Sequence, residues 1–254
     1  MIAPVTPEQL VFAMLKFAPH IILLACCTMA PVAVVRAADA PSDAPAIKEI
    51  YWVFLNKGEG RTNLANMAKE QVSVLQSNHV GNLGALYKAG RAFTAGPLGD
   101  NGFIRGIVVL NVTTPEAVAD CFKPDPFVQQ NILSVEAYPW IVDTSRFHEP
   151  LEPFKMAQHT LGVVKKGPAY KAPAEAKESR TIFHLLPSLK AQSDAGELAV
   201  SGPLVKAGDL LGILLFKSSE TNTVRSILDK DPAVKEGRVV VELHPQFMGA
   251  GVLR

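Results

Sequence analysis

The chain has 254 residues, 48% of them hydrophobic, with 25 basic against 24 acidic groups and a formal net charge of +1. That length can bury a sizeable core in one or two domains, while the near-neutral balance, with no Lys/Arg cluster, lacks the electrostatic footprint of nucleic-acid binding. Three cysteines, Cys26, Cys27 and Cys121, make neither a disulfide framework nor a C-x-x-C metal or redox spacing.

From the N-terminus, Lys16 is followed by the apolar run FAPHIILLACCTMAPVAVV and then by RAADAPSDAPA. A basic residue, an apolar run and a small-residue site with Val35 and Ala37 at its minus-three and minus-one positions read as an export signal cut before Ala38. Two other readings stand beside it. The run approaches the length of a membrane span, which Pro19, His20 and Pro31 weaken, and Leu23-Leu24-Ala25-Cys26 resembles a lipobox that would anchor the chain by lipid at Cys26. The signal reading makes the mature protein periplasmic or secreted, without a stable membrane span. It leaves Cys121 as the lone thiol, expected buried on a helix.

Residues 38–49, rich in Ala, Pro and Asp, read as a tether behind the signal of residues 1–37. Next come EIYWVFLN, a strand, and NLANMAKEQVSVLQSNHVGNLGALYKAG, a helix with Val72, Leu75, Val80, Leu83 and Leu86 on its apolar stripe and Gly90 as its stop. RAFTAGPL and IRGIVVLNV form a hairpin around a Gly-Asp-Asn-Gly turn. TPEAVADCFK opens a second helix with Thr114 as N-cap and Pro115 in the first turn, and SVEAYPWIVD closes as a strand. The order β-α-β-β-α-β is the ferredoxin-like unit, here spanning residues 50–143.

The same order follows again. Gly96-Pro97-Leu98 recurs as Gly202-Pro203-Leu204, Asp125-Pro126 as Asp231-Pro232 and Pro139 as Pro245, each 106 residues on. Three marks at one period indicate an internal duplication, with a linker at 144–157 and a second unit at 158–254. In that unit a helix is expected over residues 172–196, broken near Pro187. Each unit has one sheet face without helices, so the two copies are expected to close sheet against sheet. The fold class is thus α+β, tandem ferredoxin-like units forming an intrachain pseudo-dimeric α+β barrel, with room for a further homodimer.

The stretch NHVGNLGALYKAGRAFTAGPL, followed by DPF and YPW, resembles the YCII-related proteins. The first unit carries their pattern at His79, Leu83, Gly90, Gly96, Pro97, Asp125, Pro126 and Phe127. The second departs from it: His184 lies twelve residues before Gly196 instead of eleven, Pro187 interrupts the helix, and Ala233 stands where the aromatic should be. Gln76 occupies a position where family members often have Arg. The resemblance implies a dimeric α+β barrel and a His79/Asp125 pair in a cleft; related barrels include lyases, isomerases and dehalogenating enzymes acting on small ring-derived acids.

Read physically, His79 lies on the helix stripe with Leu75 and Leu83, and a shielded histidine there needs a polar partner. If Asp125 is that partner, the carboxylate would orient the imidazole for general acid or base work. Against this stands a core histidine beside an ordinary Asp-Pro helix cap. His184 and Asp231 are the weaker equivalents. Gly96 and Pro97, with Phe127, are candidate ligand contacts; Tyr51, Trp52, Phe93, Tyr138 and Trp140 could line an apolar pocket with His79, although strand residues of this kind are more often core. His244 could lie on either face of the last strand.

The segment NKGEGR lacks the lysine and helix start of a phosphate loop and reads as a turn; no H-E-x-x-H, G-x-S-x-G or Cys/His cluster is present, and no metal or cofactor is expected. Two functions remain: an exported enzyme of lyase, isomerase or hydrolase type moving a proton on a small organic acid or ring compound, or a non-catalytic periplasmic module that binds a small-molecule ligand or is structural.

Overall fold

The computed structural model describes residues 46–172 and 181–253. The signal, anchor and lipobox readings, and nearly all of the tether, lie outside them. The first unit contains β1 (Ile47–Lys57), a 3₁₀ segment (Glu59–Asn66), α1 (Lys69–Lys88), β2 (Ala92–Pro97), β3 (Ile104–Leu110), α2 (Pro115–Phe122), the short α3 (Pro126–Gln129) and β4 (Leu133–Asp143). The second contains β5 (Met156–Lys166), a 3₁₀ turn (Ile182–His184), α4 (Leu189–Asp194), β6 (Leu198–Pro203), β7 (Leu210–Phe216), α5 (Thr221–Leu228), α6 (Pro232–Lys235) and β8 (Val239–Gly249). The strands β1 and β5 begin at Ile47 and Met156, slightly ahead of the unit starts read from composition.

Local chemistry accounts for the element ends. Thr114 accepts the Ala117 amide at 3.2 Å and caps α2 ahead of Pro115. Gly90, at φ 67°, stops α1 in the left-handed region that glycine tolerates. Two expectations need correction. NKGEGR is no simple turn, since a 3₁₀ helix begins at Glu59. In place of the long helix expected over 172–196, the described part holds only the 3₁₀ turn and α4, because Pro187 has no amide to continue a helix and its ring crowds the preceding turn. No described helix is long and apolar enough to cross a membrane.

The two sheets are antiparallel, ordered β2-β3-β1-β4 and β6-β7-β5-β8. Alternation along β1 sends Ile50, Trp52 and Phe54 to one face and Tyr51, Val53 and Leu55 to the other. The first set meets Trp140, Leu161, Val163 and Leu215 in a core shared by both sheets. The second lies under α1 and α2, and a third core lies under the helices of the second unit. Trp52 and Trp140, both fully buried, pack edge to face at 5.2 Å inside the barrel. They are therefore on the opposite side of the sheet from α1 and cannot line a pocket with His79.

The repeated Gly-Pro-Leu corners are where the sheets join. Leu98 bridges Gln246 and Leu204 bridges Trp140. Beside them the Gly99 amide donates to the Pro245 carbonyl at 2.7 Å and the Val205 amide to the Pro139 carbonyl at 2.8 Å. A Cβ on Gly96 would overlap the Phe247 carbonyl, and one on Gly202 the Ile141 carbonyl. The 106-residue repeat thus marks two equivalent seams that close eight strands into a barrel. At Gly96 the chain that approaches the glycine closely is the protein's own β8.

Candidate functional site

His79 is carried by α1 and Asp125 by the turn between α2 and α3. The turn brings the carboxylate back under α1, and His79 Nδ1 lies 2.7 Å from Asp125 Oδ2. Asp125 is fully buried and His79 is 7% exposed. The other carboxylate oxygen accepts the Phe127 amide at 3.0 Å, capping α3, so one side chain both starts a helix and holds the imidazole. Phe127, on that first turn, stacks on the imidazole with centroids 5.0 Å apart and planes 17° apart. The sequence-predicted trio His79, Asp125 and Phe127 is brought together, and Gly96 and Pro97 are not part of it.

Asn82 was not foreseen. One turn along α1 from His79, its Nδ2 donates to the Cys121 carbonyl at 3.1 Å and to Asp125 Oδ2 at 3.3 Å. It thereby joins the oxygen that meets His79. The spacing from His79 to Asn82, three residues on a helix, was the available signal. Cys121 is buried beneath this group, and burial pushes its thiol pKa up, so it is no activated nucleophile.

The geometry sets a tautomer. With a buried carboxylate at Nδ1, the neutral ring carries its proton there and leaves the Nε2 lone pair for another partner. Nε2 makes no hydrogen bond to another described residue. Beside this group runs an open groove of about 490 Å³, lined by Met67, Glu70, Gln71, Val74, Leu75 and Gln130. Leu75 is one turn before His79, and Gln130 ends the helix that Asp125 begins. His79 itself is not in the lining.

The second unit is different. His184 is exposed, and its Nδ1 faces the Thr181 carbonyl at 2.8 Å. Asp231 is fully buried and caps α6 through the Ala233 amide at 2.8 Å, but its second oxygen accepts the amide and hydroxyl of Ser188. His184 and Asp231 thus form no pair; the break at Pro187 turns the chain so that Ser188 takes the carboxylate. His244 faces inward and meets Asp100 Oδ2 at 2.6 Å, at the seam rather than at either site.

No protein-family model matches the chain, and no curated protein does. Among solved structures, two variants of chlorite dismutase from Candidatus Nitrospira defluvii match with TM-scores of 0.52 and 0.51, each at 11% identity, over 78% and 79% of this chain and 90% and 91% of theirs. The chain has the dimeric α+β-barrel fold. A heme-binding protein from Thermus thermophilus matches at 13% identity with a TM-score of 0.47, over 82% of this chain and 93% of that one. At these identities the likeness is one of fold, shared with chlorite dismutase-like barrels, and chemistry has to come from the site.

Proposed function

We propose that the chain is an exported, YCII-like barrel protein whose first unit is a proton-transfer enzyme, of lyase, isomerase or hydrolase type, acting on a small organic acid or ring compound. His79 is the acid or base and Asp125 positions it. The observation that carries this reading is the buried 2.7 Å contact between His79 Nδ1 and Asp125 Oδ2, with Phe127 stacked on the ring. In this scheme Nε2 takes a proton from the bound compound and returns it to the product or leaving group, while Asp125, held by Asn82 and the Phe127 amide, keeps the ring from turning. The matching His, Gly, Asp-Pro and aromatic positions support YCII kinship for the first unit. Export rests on the pattern from Lys16 to Ala37.

The name of one structural neighbour, the heme-binding protein from Thermus thermophilus, raises heme as a cofactor. Heme needs an axial side chain, commonly histidine, facing a cavity. The groove is lined by no histidine, cysteine or tyrosine, and His79 presents its Nδ1 to Asp125. The residues there do not fit, and no step is assigned to heme.

Binding without turnover is the second reading, favoured by a groove whose lining does not include His79. The two separate on one experiment: a small-metabolite extract incubated with the full-length chain and with His79→Ala, followed by untargeted mass spectrometry. A compound consumed by the wild type and spared by the variant supports the enzyme. Equal consumption by both sinks the role of His79, and a compound retained unchanged supports the binding module.

A further inference from the structure

At one end of the barrel the two units use the same acid in two ways. Alternation along β4 places Glu136 and Tyr138 on the inner face of the first sheet with Trp140 and Val142, the face turned away from α1 and His79. The Glu136 carboxylate is exposed at the rim and bridges two neighbours. One oxygen accepts the Tyr138 hydroxyl, and the other accepts Asn56 Nδ2 at 2.7 Å. Asn56, near the end of β1, is buried. Because its Nδ2 is turned to the carboxylate, Oδ1 remains as a pure acceptor, and that buried oxygen has no hydrogen-bond partner. Burial first, and then the bond to Glu136 and its charge, push the Tyr138 pKa up to about 12, so the hydroxyl keeps its proton on the carboxylate and offers only its lone pairs elsewhere. Among the described residues no lysine, arginine or histidine lies within ion-pair distance of Glu136.

The second unit shows what such an acid takes. Asn56 is paired with Ile104 on β3 and Ser134 on β4, and Lys165 with Leu210 on β7 and Val240 on β8. These partners are related by the 106-residue repeat, and a register shift precedes both Asn56 and Lys165. Lys165 therefore stands where Asn56 stands, and Glu242 where Glu136 stands. There the Lys165 ammonium meets the Glu242 carboxylate at 2.7 Å. The first unit keeps the acid and lacks the cation. An exposed ion pair alone contributes little, but here the acid adjoins a buried acceptor, and the Tyr138 ring meets Phe54 edge to face at 6.4 Å. An ammonium group brings three donors and no acceptor, which suits the oxygens of Glu136, Tyr138 and Asn56, and aromatic rings beside it favour a cation.

We propose that Glu136, Tyr138 and Asn56 form a binding site at the barrel mouth for the protonated amino group of a small organic amine. The site is independent of His79, which lies across the sheet. Its test is calorimetric titration of the full-length chain with benzylammonium chloride, with benzyl alcohol as the uncharged counterpart and ionic strength held constant with sodium chloride. Saturable binding of the amine and not of the alcohol is expected. Glu136→Gln should weaken it by about tenfold or more, the loss of one charge-assisted contact. Asn56→Lys gives the first unit the cation that the second already has, and should abolish binding while the thermal midpoint shows the chain still folded. His79→Ala should bind the amine as the wild type does, which separates this site from the proton-transfer reading. No saturable binding of the amine, equal binding of the alcohol, or amine binding unchanged in Glu136→Gln overturns the proposal.

Discussion

Ser188 holds Asp231 through both its amide and its hydroxyl, in the place where His79 holds Asp125 in the first unit. The two carboxylates share one structural task, the capping of a short helix that begins with proline. They differ in what occupies the remaining oxygen. In the second unit the imidazole has gone, and the aromatic that stacks on it has become Ala233. The chain therefore carries one imidazole–carboxylate pair of this kind among its described residues, with the second unit as structural counterpart.

The shared task gives a first prediction. Asp125→Ala and Asp231→Ala should each lower stability by about 2–4 kcal/mol in urea titrations, since each removes a cap and strands buried donors. Only Asp125→Ala should also affect turnover. A cost below about 0.5 kcal/mol at either position would contradict the capping role.

The seam glycines give a second. Gly96→Ala and Gly202→Ala place a methyl against the carbonyls of Phe247 and Ile141 and should cost about 1–3 kcal/mol or more, as forced overpacking does. Gly81→Ala, in the middle of α1 with no atom near the added Cβ, should instead stabilise by about 0.5–1 kcal/mol. Thermal midpoints of the three variants check the contrast.

Trp140 crosses the second seam. Its indole Nε1 donates to the Gly202 carbonyl at 3.0 Å, so Trp140→Phe should cost about 0.5–1.5 kcal/mol by removing this hydrogen bond across the seam. Trp140→Phe with an unchanged unfolding midpoint would show that the indole bond contributes nothing.

His159 should make stability depend on pH. It is 7% exposed on β5, and burial is the main cause that lowers its pKa from the ordinary 6.5. The unfolded chain then binds a proton that the folded chain resists. No penalty exists well above pH 6.5; it grows as pH falls through that value towards the lowered folded pKa, at up to about 1.4 kcal/mol per pH unit. His159→Phe should flatten the slope over that window. Parallel pH profiles for wild type and variant would refute the assignment.

The fold was legible because each strand is a short β-branched run between turn residues, and because three marks repeat at one spacing. The His79, Asp125 and Phe127 trio was legible because α1 puts His79 on an apolar stripe and Asp-Pro starts a helix. What escaped was decided by pairing between distant strands. That Gly96 lies on Phe247, or that Ser188 replaces an imidazole, depends on how two sheets meet and on where Pro187 breaks the chain. Of the two readings of the strand aromatics the core one holds: Tyr51 and Trp52 are neighbours on a strand, so they point to opposite faces, belong to two different cores and cannot both line one pocket.

The seams at Leu98–Gln246 and Trp140–Leu204 set β2 against β8 and β4 against β6. These four are the outermost strands of their sheets. An outermost strand ordinarily offers unsatisfied backbone groups as a template on which another polypeptide can assemble. Here each such margin is turned towards its counterpart in the same molecule. Closure therefore shields the chain from strand-by-strand aggregation, and a substitution that opens a seam should be visible as fibril or oligomer growth before it is visible as loss of helix.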